Sequence, residues 1–110
     1  MKGSPKDSPE TVLVTYHVRP GMEKDFEALL ARAWTLYQDE HMVRSAPHVL
    51  VRDAEESSTV GYVEIFTWVS HSTPAKAPDS VKKIWAEEQA MCEARAGRSA
   101  IGGGEVQLLK

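Results

Sequence analysis

Residues 61–70 read Gly61-Tyr62-Val63-Glu64-Ile65-Phe66-Thr67-Trp68-Val69-Ser70. Side chains alternate sides along a strand, so this stretch has two chemically different faces. Val63, Ile65 and Val69 share one face with Thr67. Tyr62, Glu64, Phe66 and Trp68 share the other. An aliphatic face needs only a core to pack on. A face with one carboxylate and three aromatic rings has the composition of a pocket wall.

The elements on either side give this strand its place. Residues 11–18 alternate and are rich in β-branched residues, which predicts a strand ended by Pro20-Gly21. From Met22 to about Glu40, Met22, Phe26, Leu29, Leu30, Ala33, Trp34, Leu36 and Tyr37 recur at helical spacing, with acidic residues early, where they suit the helix dipole. Residues 39–47 read as a connection in which His41, Met42 and Val43 can add a helical turn. Residues 48–53 predict a second strand, joined by the polar loop 53–59 to the strand quoted above as a hairpin. Thr73-Pro74 offers a short helix start. Residues 79–96 predict a second helix, capped by Asp79 or Ser80 and ended by Gly97, with Val81, Ile84, Trp85, Met91, Cys92 and in part Glu88 on its buried stripe. Residues 98–104 read as a glycine-rich turn, and 105–109 as a last strand.

The order is β-α-β-β-α-β. It predicts an α+β fold, the ferredoxin-like antiparallel sheet with two helices on one face. The domain covers residues 11–110, behind a flexible leader at 1–10. On the first strand Val12, Val14, Tyr16 and Val18 form the more apolar set and are placed under the helices, leaving Leu13, Thr15 and His17 on the open face. A one-residue slip exchanges the sets, bringing Tyr16 into the pocket and removing His17. The open face is expected to carry Leu13, Leu50, Tyr62, Phe66, Trp68 and Leu109. Exposed apolar area of that extent marks an interface, and a second copy of the chain on a two-fold axis is the simplest cover.

Composition narrows the function classes. The chain has 110 residues, 42% hydrophobic and 26% charged, with a net charge of −3. That is one ordinary globular domain, with no electrostatic case for nucleic acid or an anionic membrane. No apolar run reaches the ~20 residues of a membrane span. The single cysteine, Cys92, excludes an internal disulfide, fits the cytoplasm, and lies where a small buried hydrophobe belongs. Gly102-Gly103-Gly104 lacks the Gly-Lys-Ser/Thr of a phosphate loop. The four histidines, at 17, 41, 48 and 71, lack short ligand spacing, so no metal site is expected.

Val18-Arg19-Pro20-Gly21-Met22-Glu23-Lys24-Asp25-Phe26 resembles the Val-x-Pro-Gly-x-Glu-x-x-Phe entry to the first helix of the antibiotic biosynthesis monooxygenase family. Tyr62 to Trp68, ending Phe-x-Trp-x-Ser, resembles that family's third strand, and Val81 to Trp85 its second helix. The resemblance spans residues 11–109. It implies a dimeric α/β barrel with one pocket per subunit between sheet and helices, and Trp68 at that pocket. Members include haem-degrading enzymes and oxygenases of aromatic polyketides that use no cofactor, neither metal nor flavin. The haem degraders pair the tryptophan with an asparagine on the first strand and a histidine on the following helix. This sequence has no asparagine and no histidine after His71, so haem degradation is not expected.

Oxygenation without a cofactor needs an apolar pocket, a base, and donors for a developing oxyanion. Glu64, flanked by Tyr62 and Phe66, is the first candidate base, and His17 the alternative. Tyr62, Phe66, Trp68 and Leu13 are candidate substrate contacts. Arg52 and His48 share a strand face and are candidate donors. Glu64 can instead pair with Arg52 across the hairpin, Trp68 can fill a dimer interface, and Trp34 and Trp85 read as core. Three readings stay open: a cofactor-independent monooxygenase of a small aromatic or polyketide-like molecule, a binding protein for a hydrophobic metabolite, and a dimer whose pocket its own side chains fill.

Overall fold

The computed structural model describes residues 7–54, 59–95 and 97–109. Strand β1 is Glu10–Val18, helix α1 Glu23–Asp39, β2 Val43–Ala54, β3 Val60–Trp68, α2 Asp79–Met91 and β4 Ile101–Glu105. The four strands form one antiparallel sheet in the order β2-β3-β1-β4, with both βαβ halves interleaved as the ferredoxin-like reading requires. A 3₁₀ turn, Pro74–Lys76, begins where Thr73-Pro74 predicts it. Among the described residues no helix is long and apolar enough to cross a membrane. The leader expected at 1–10 and the hairpin loop at 53–59 fall partly outside the described residues; Glu10 itself is already strand.

Four boundaries differ from expectation, each for a local reason. Helix α1 does not run on through Val43. His41 takes a left-handed conformation (φ 56°), while the His41 and Met42 amides donate to the carbonyls of Gln38 and Tyr37. That is a Schellman end, and it frees Val43 to open β2. Strand β2 therefore starts five residues early, with a bulge between Val43 and His48. Helix α2 stops at Met91 rather than near Gly97, because Cys92 turns extended and bridges to Val18. Its N-cap is Pro78, and neither Asp79 nor Ser80 caps it through a side chain.

The last strand is the glycine run itself, not 105–109. Gly103 has φ +133°, and a Cβ there would stand 2.0 Å from the Leu13 carbonyl oxygen. Only glycine lets this edge strand press against β1. Leu109 lies beyond the sheet and is 87% exposed.

The core lies between sheet and helices. Phe26, Leu29, Leu30, Ala33 and Tyr37 of α1 and Val81, Ile84 and Glu88 of α2 face inward. They meet Val12, Tyr16 and Val18 of β1, the face the alternation predicts for that strand.

The face of β3 is the main correction. Val12 pairs with Phe66, Val14 with Glu64 and Tyr16 with Tyr62, and directly opposed residues share a face. Tyr62, Glu64, Phe66 and Trp68 therefore lie under the helices, buried, rather than on the open face. Leu50 pairs with Glu64 and lies on that same side. The open face is instead β-branched and aliphatic: Leu13 and Thr15 of β1, Val49 and Val51 of β2, and Val63 and Ile65 of β3. Val49 and Val51 are 42% and 48% exposed.

Candidate functional site

Glu64 sits mid-strand on β3 with 2% of its surface exposed. The register brings two partners to it. Tyr16 on β1 donates its hydroxyl to Glu64 Oε1 at 2.7 Å. His48 on β2 places Nε2 2.9 Å from Oε2, and since a carboxylate only accepts, the ring nitrogen donates. Both oxygens of a buried carboxylate are thereby satisfied, one from each neighbouring strand. The pairing of Glu64 with Arg52 does not occur. Arg52 contacts Glu27 of α1 at 3.2 Å and the Tyr62 hydroxyl at 3.4 Å.

His48 is fixed in turn. Its ring stacks on Trp34 of α1, centroids 3.7 Å apart and planes 3° from parallel. Its side chain remains 25% exposed, so it joins the buried carboxylate to the surface. The Tyr16 ring packs edge-on to Phe26 at 5.1 Å. Burial, then the charges of Glu64 and Glu88, hold the Tyr16 phenol well above its ordinary value. Tyr16 is therefore a protonated phenol that donates to Glu64.

Beside Tyr16, between the sheet and α2, lies a cavity of about 320 Å³. Val14, Phe66, Trp68, Tyr37, Trp85 and Ile101 form most of its wall, and Tyr16 and Glu88 supply its polar groups together with Gln89. Trp85 donates its indole N–H to the Tyr37 hydroxyl at 2.6 Å. Trp68 lies edge-on to Phe66 at 4.8 Å and to Trp85 at 6.3 Å. The walls are thus cross-braced aromatic rings. Burial first, and then Glu64, push the Glu88 carboxyl up to about 8. Burial also pushes the Cys92 thiol up to about 12, in keeping with its reading as a buried small hydrophobe rather than a reactive group.

The predicted site residues separate into three places. Glu64, Phe66, Trp68 and His48 come together, with Tyr16 rather than Glu64 on the cavity wall. Tyr62 and Arg52 form a second cluster with Glu27, in which the buried Tyr62 hydroxyl donates to the Glu27 carboxylate. His17 and Leu13 belong to the other side of the sheet and cannot act with Glu64. His17 is 8% exposed and lines a separate cavity of about 480 Å³ with Thr15, Val63, Arg98 and Ser99. That cavity is larger, but the smaller one is where the aromatic rings converge with the Glu88 carboxyl and with Tyr16, which links it to Glu64.

Tyr16 is the open alternative to His17 for the pocket, and it is the one on the cavity wall; the residues missed are Tyr37, Trp34, Trp85 and Glu88. One signal for Glu88 was present: a carboxylate on the stripe Val81-Ile84-Glu88, where an apolar residue belongs. Among the described residues no three metal-ligating side chains converge.

No protein-family model matches the sequence, and no curated protein matches it significantly. Solved structures do match. A variant of SnoaB, a cofactor-independent oxygenase from Streptomyces nogalater, superposes with a TM-score of 0.67 at 19% identity, over 94% of this chain and 95% of that one. Another SnoaB structure gives 0.63 at 19% identity, over 94% and 96% of the two chains. A Bordetella bronchiseptica protein, itself only provisionally described as an antibiotic biosynthesis monooxygenase, gives 0.60 at 17%, over 94% of this chain and 99% of its own. At this identity the likeness is one of fold: the chain shares the ferredoxin-like architecture of a cofactor-independent oxygenase and of an antibiotic biosynthesis monooxygenase-like protein.

Proposed function

We propose that this protein is a cofactor-independent monooxygenase of a small aromatic or polyketide-like substrate, working in the cytoplasm as a homodimer closed through the open sheet face. One observation carries the reading: the hydrogen-bonded line His48–Glu64–Tyr16 that ends on the wall of the aromatic cavity.

The Tyr16 proton is already committed to Glu64, so its oxygen is left to receive a proton from a bound molecule. An anthrone-type CH₂ or its enol gives that proton to Tyr16 as the Tyr16 proton passes to Glu64. His48 holds the carboxylate from the solvent side. The substrate anion passes one electron to O₂, and the radical and superoxide recombine as a carbon-bound peroxide. The peroxide takes the proton back and loses water, leaving a C=O where the CH₂ was. The balance is CH₂ + O₂ → C=O + H₂O, and the relay returns to its starting state. The aromatic wall excludes water from the anion and offers flat surfaces to a flat substrate.

Val49, Val51, Val63 and Ile65 support the dimer, since a β-branched aliphatic sheet face packs well on its own copy. The deciding experiment is O₂ uptake with an anthrone substrate in the presence of a metal chelator. Uptake above the spontaneous rate is expected. Thermal stabilisation by the substrate without uptake would leave a binding protein in its place.

A further inference from the structure

The relay leaves one buried carboxyl of the cavity wall unused. Glu88 projects from α2 at a position set by Val81 and Ile84 on the same buried stripe, and it is 4% exposed. Its Oε2 is sealed from solvent and has no hydrogen-bond partner. Neither phenol beside it bonds that oxygen: Tyr16 donates to Glu64, and Tyr37 accepts from Trp85. A buried oxygen left unpaired is a standing cost to the fold, one that leucine or methionine at this position would remove.

The charge environment says which form this carboxyl takes. The titratable groups that act on it or feel it are Tyr16 from β1, Tyr37 from α1, Glu64 from β3 and Cys92 at the end of α2. None is a cation. With burial and a second carboxylate against it, Glu88 keeps its proton at neutral pH and is a donor without an acceptor. The same absence of positive charge around the cavity disfavours an anionic ligand.

We propose that Glu88 is the ligand-orienting donor of this cavity, its carboxyl O–H binding the carbonyl oxygen of a flat, uncharged aromatic ketone. This deepens the proposed function. It rests on the cavity being a ligand site and not on oxygen chemistry taking place there. A carbonyl held by Glu88 fixes which edge of the ring system faces Tyr16, and an enolate forming at that oxygen gains from the same donor.

The test is calorimetric titration of the full chain with three probes: 2-acetylnaphthalene, 2-isopropenylnaphthalene, a hydrocarbon of nearly the same shape in which CH₂ replaces the oxygen, and 2-naphthoate. At pH 6.5 the ketone is expected to bind about tenfold more tightly than the hydrocarbon, with no binding of the carboxylate. At pH 9.5, with Glu88 ionised, that preference disappears. Glu88→Gln keeps a donor that does not titrate, so its preference for the ketone persists at both pH values. Glu88→Leu binds ketone and hydrocarbon alike. Equal affinity of the wild type for ketone and hydrocarbon at pH 6.5, or failure of both to bind, overturns the role of Glu88. So does a preference of Glu88→Gln that fades with pH as the wild type's does, a comparison that stands even where Glu88→Leu does not fold. Selective ketone binding with no O₂ uptake would sink the oxygenase reading and leave Glu88 as the donor.

Discussion

His48 lies flat against Trp34, ring centroids 3.7 Å apart, while its Nε2 reaches Glu64 at 2.9 Å. The indole of one helix thus aims an imidazole of the edge strand at a carboxylate of its neighbour. Trp34 also touches Phe66 edge-on at 6.0 Å, so it braces both the relay and the cavity wall. Replacing it with leucine frees the histidine ring and opens Glu64 to water. Trp34→Leu should cost about 1–2 kcal/mol of stability and lower kcat with little change in KM. A pH–rate profile unchanged from the wild type would argue against its positioning role.

Tyr16→Phe keeps the ring on Phe26 and removes only the hydroxyl. Glu64→Gln keeps the shape and removes the base. Each should lower O₂-dependent turnover by about 10²–10⁴-fold at a stability cost of about 1 kcal/mol, read from urea unfolding. The double variant should be little worse than either alone, since the two act as one unit. Additive losses would mean that they do not form a relay.

Glu88 makes a prediction about stability and pH. Its folded value is about 8 against an ordinary 4.5. Below about 4.5 both folded and unfolded chains hold the proton, and burial costs no ionisation energy. Between 4.5 and 8 the unfolded chain releases the proton and the folded chain keeps it, so this group lowers stability as pH rises, by at most about 1.4 kcal/mol per unit. Above 8 the loss is complete. Glu88→Gln removes the slope. The stability gap between variant and wild type should widen in the variant's favour from pH 5 to 8.5; a constant gap would contradict the assignment.

The proposed dimer rests on the aliphatic sheet face. Val51→Lys with Val63→Lys sets like charges around the two-fold axis without touching the core. The wild type should sediment as a dimer at micromolar concentration and the variant as a folded monomer. A monomeric wild type would remove the dimer.

Gly103→Ala should be among the most disruptive small changes in the chain. The added carbon collides with the Leu13 carbonyl and occupies a φ that alanine avoids, for a loss of about 2–3 kcal/mol or more. Gly21→Ala carries the backbone penalty without the collision and should cost less. Chemical denaturation of the pair separates close approach from conformational preference.

The element order was legible because helical and strand periodicities differ sharply along this chain. Residues 22–40 and 79–96 read as helix, and the second of these overruns its true end at Met91 by five residues. The side of the sheet was not legible, because alternation encodes inside and outside only when one face is polar. Here both faces of β3 are apolar, one aliphatic and one aromatic. The inter-strand register settled the matter by setting Tyr16 opposite Tyr62, and loop lengths alone do not fix that register. Rings as large as Phe66 and Trp68 fill the depth between sheet and helix, whereas Val63 and Ile65 suit a flatter contact. Glu64 was recognisable as a carboxylate in a hydrophobic strand. Its partners were not, since His48 and Tyr16 are brought to it from 16 and 48 residues away. The terminal glycines read as a turn because glycine is read as punctuation, and the close approach it permits here is a tertiary property.

The chain has three tryptophans, and all belong to one aromatic cluster: Trp34 and Trp85 each contact Tyr37, and Trp68 contacts both Tyr37 and Trp85. None is left elsewhere to supply a background signal. The tryptophan emission of the molecule therefore comes from one cluster, two of whose indoles, Trp68 and Trp85, wall the cavity while the third, Trp34, packs behind it. Whatever enters that space is announced optically by the protein itself, before any label is attached or any product formed.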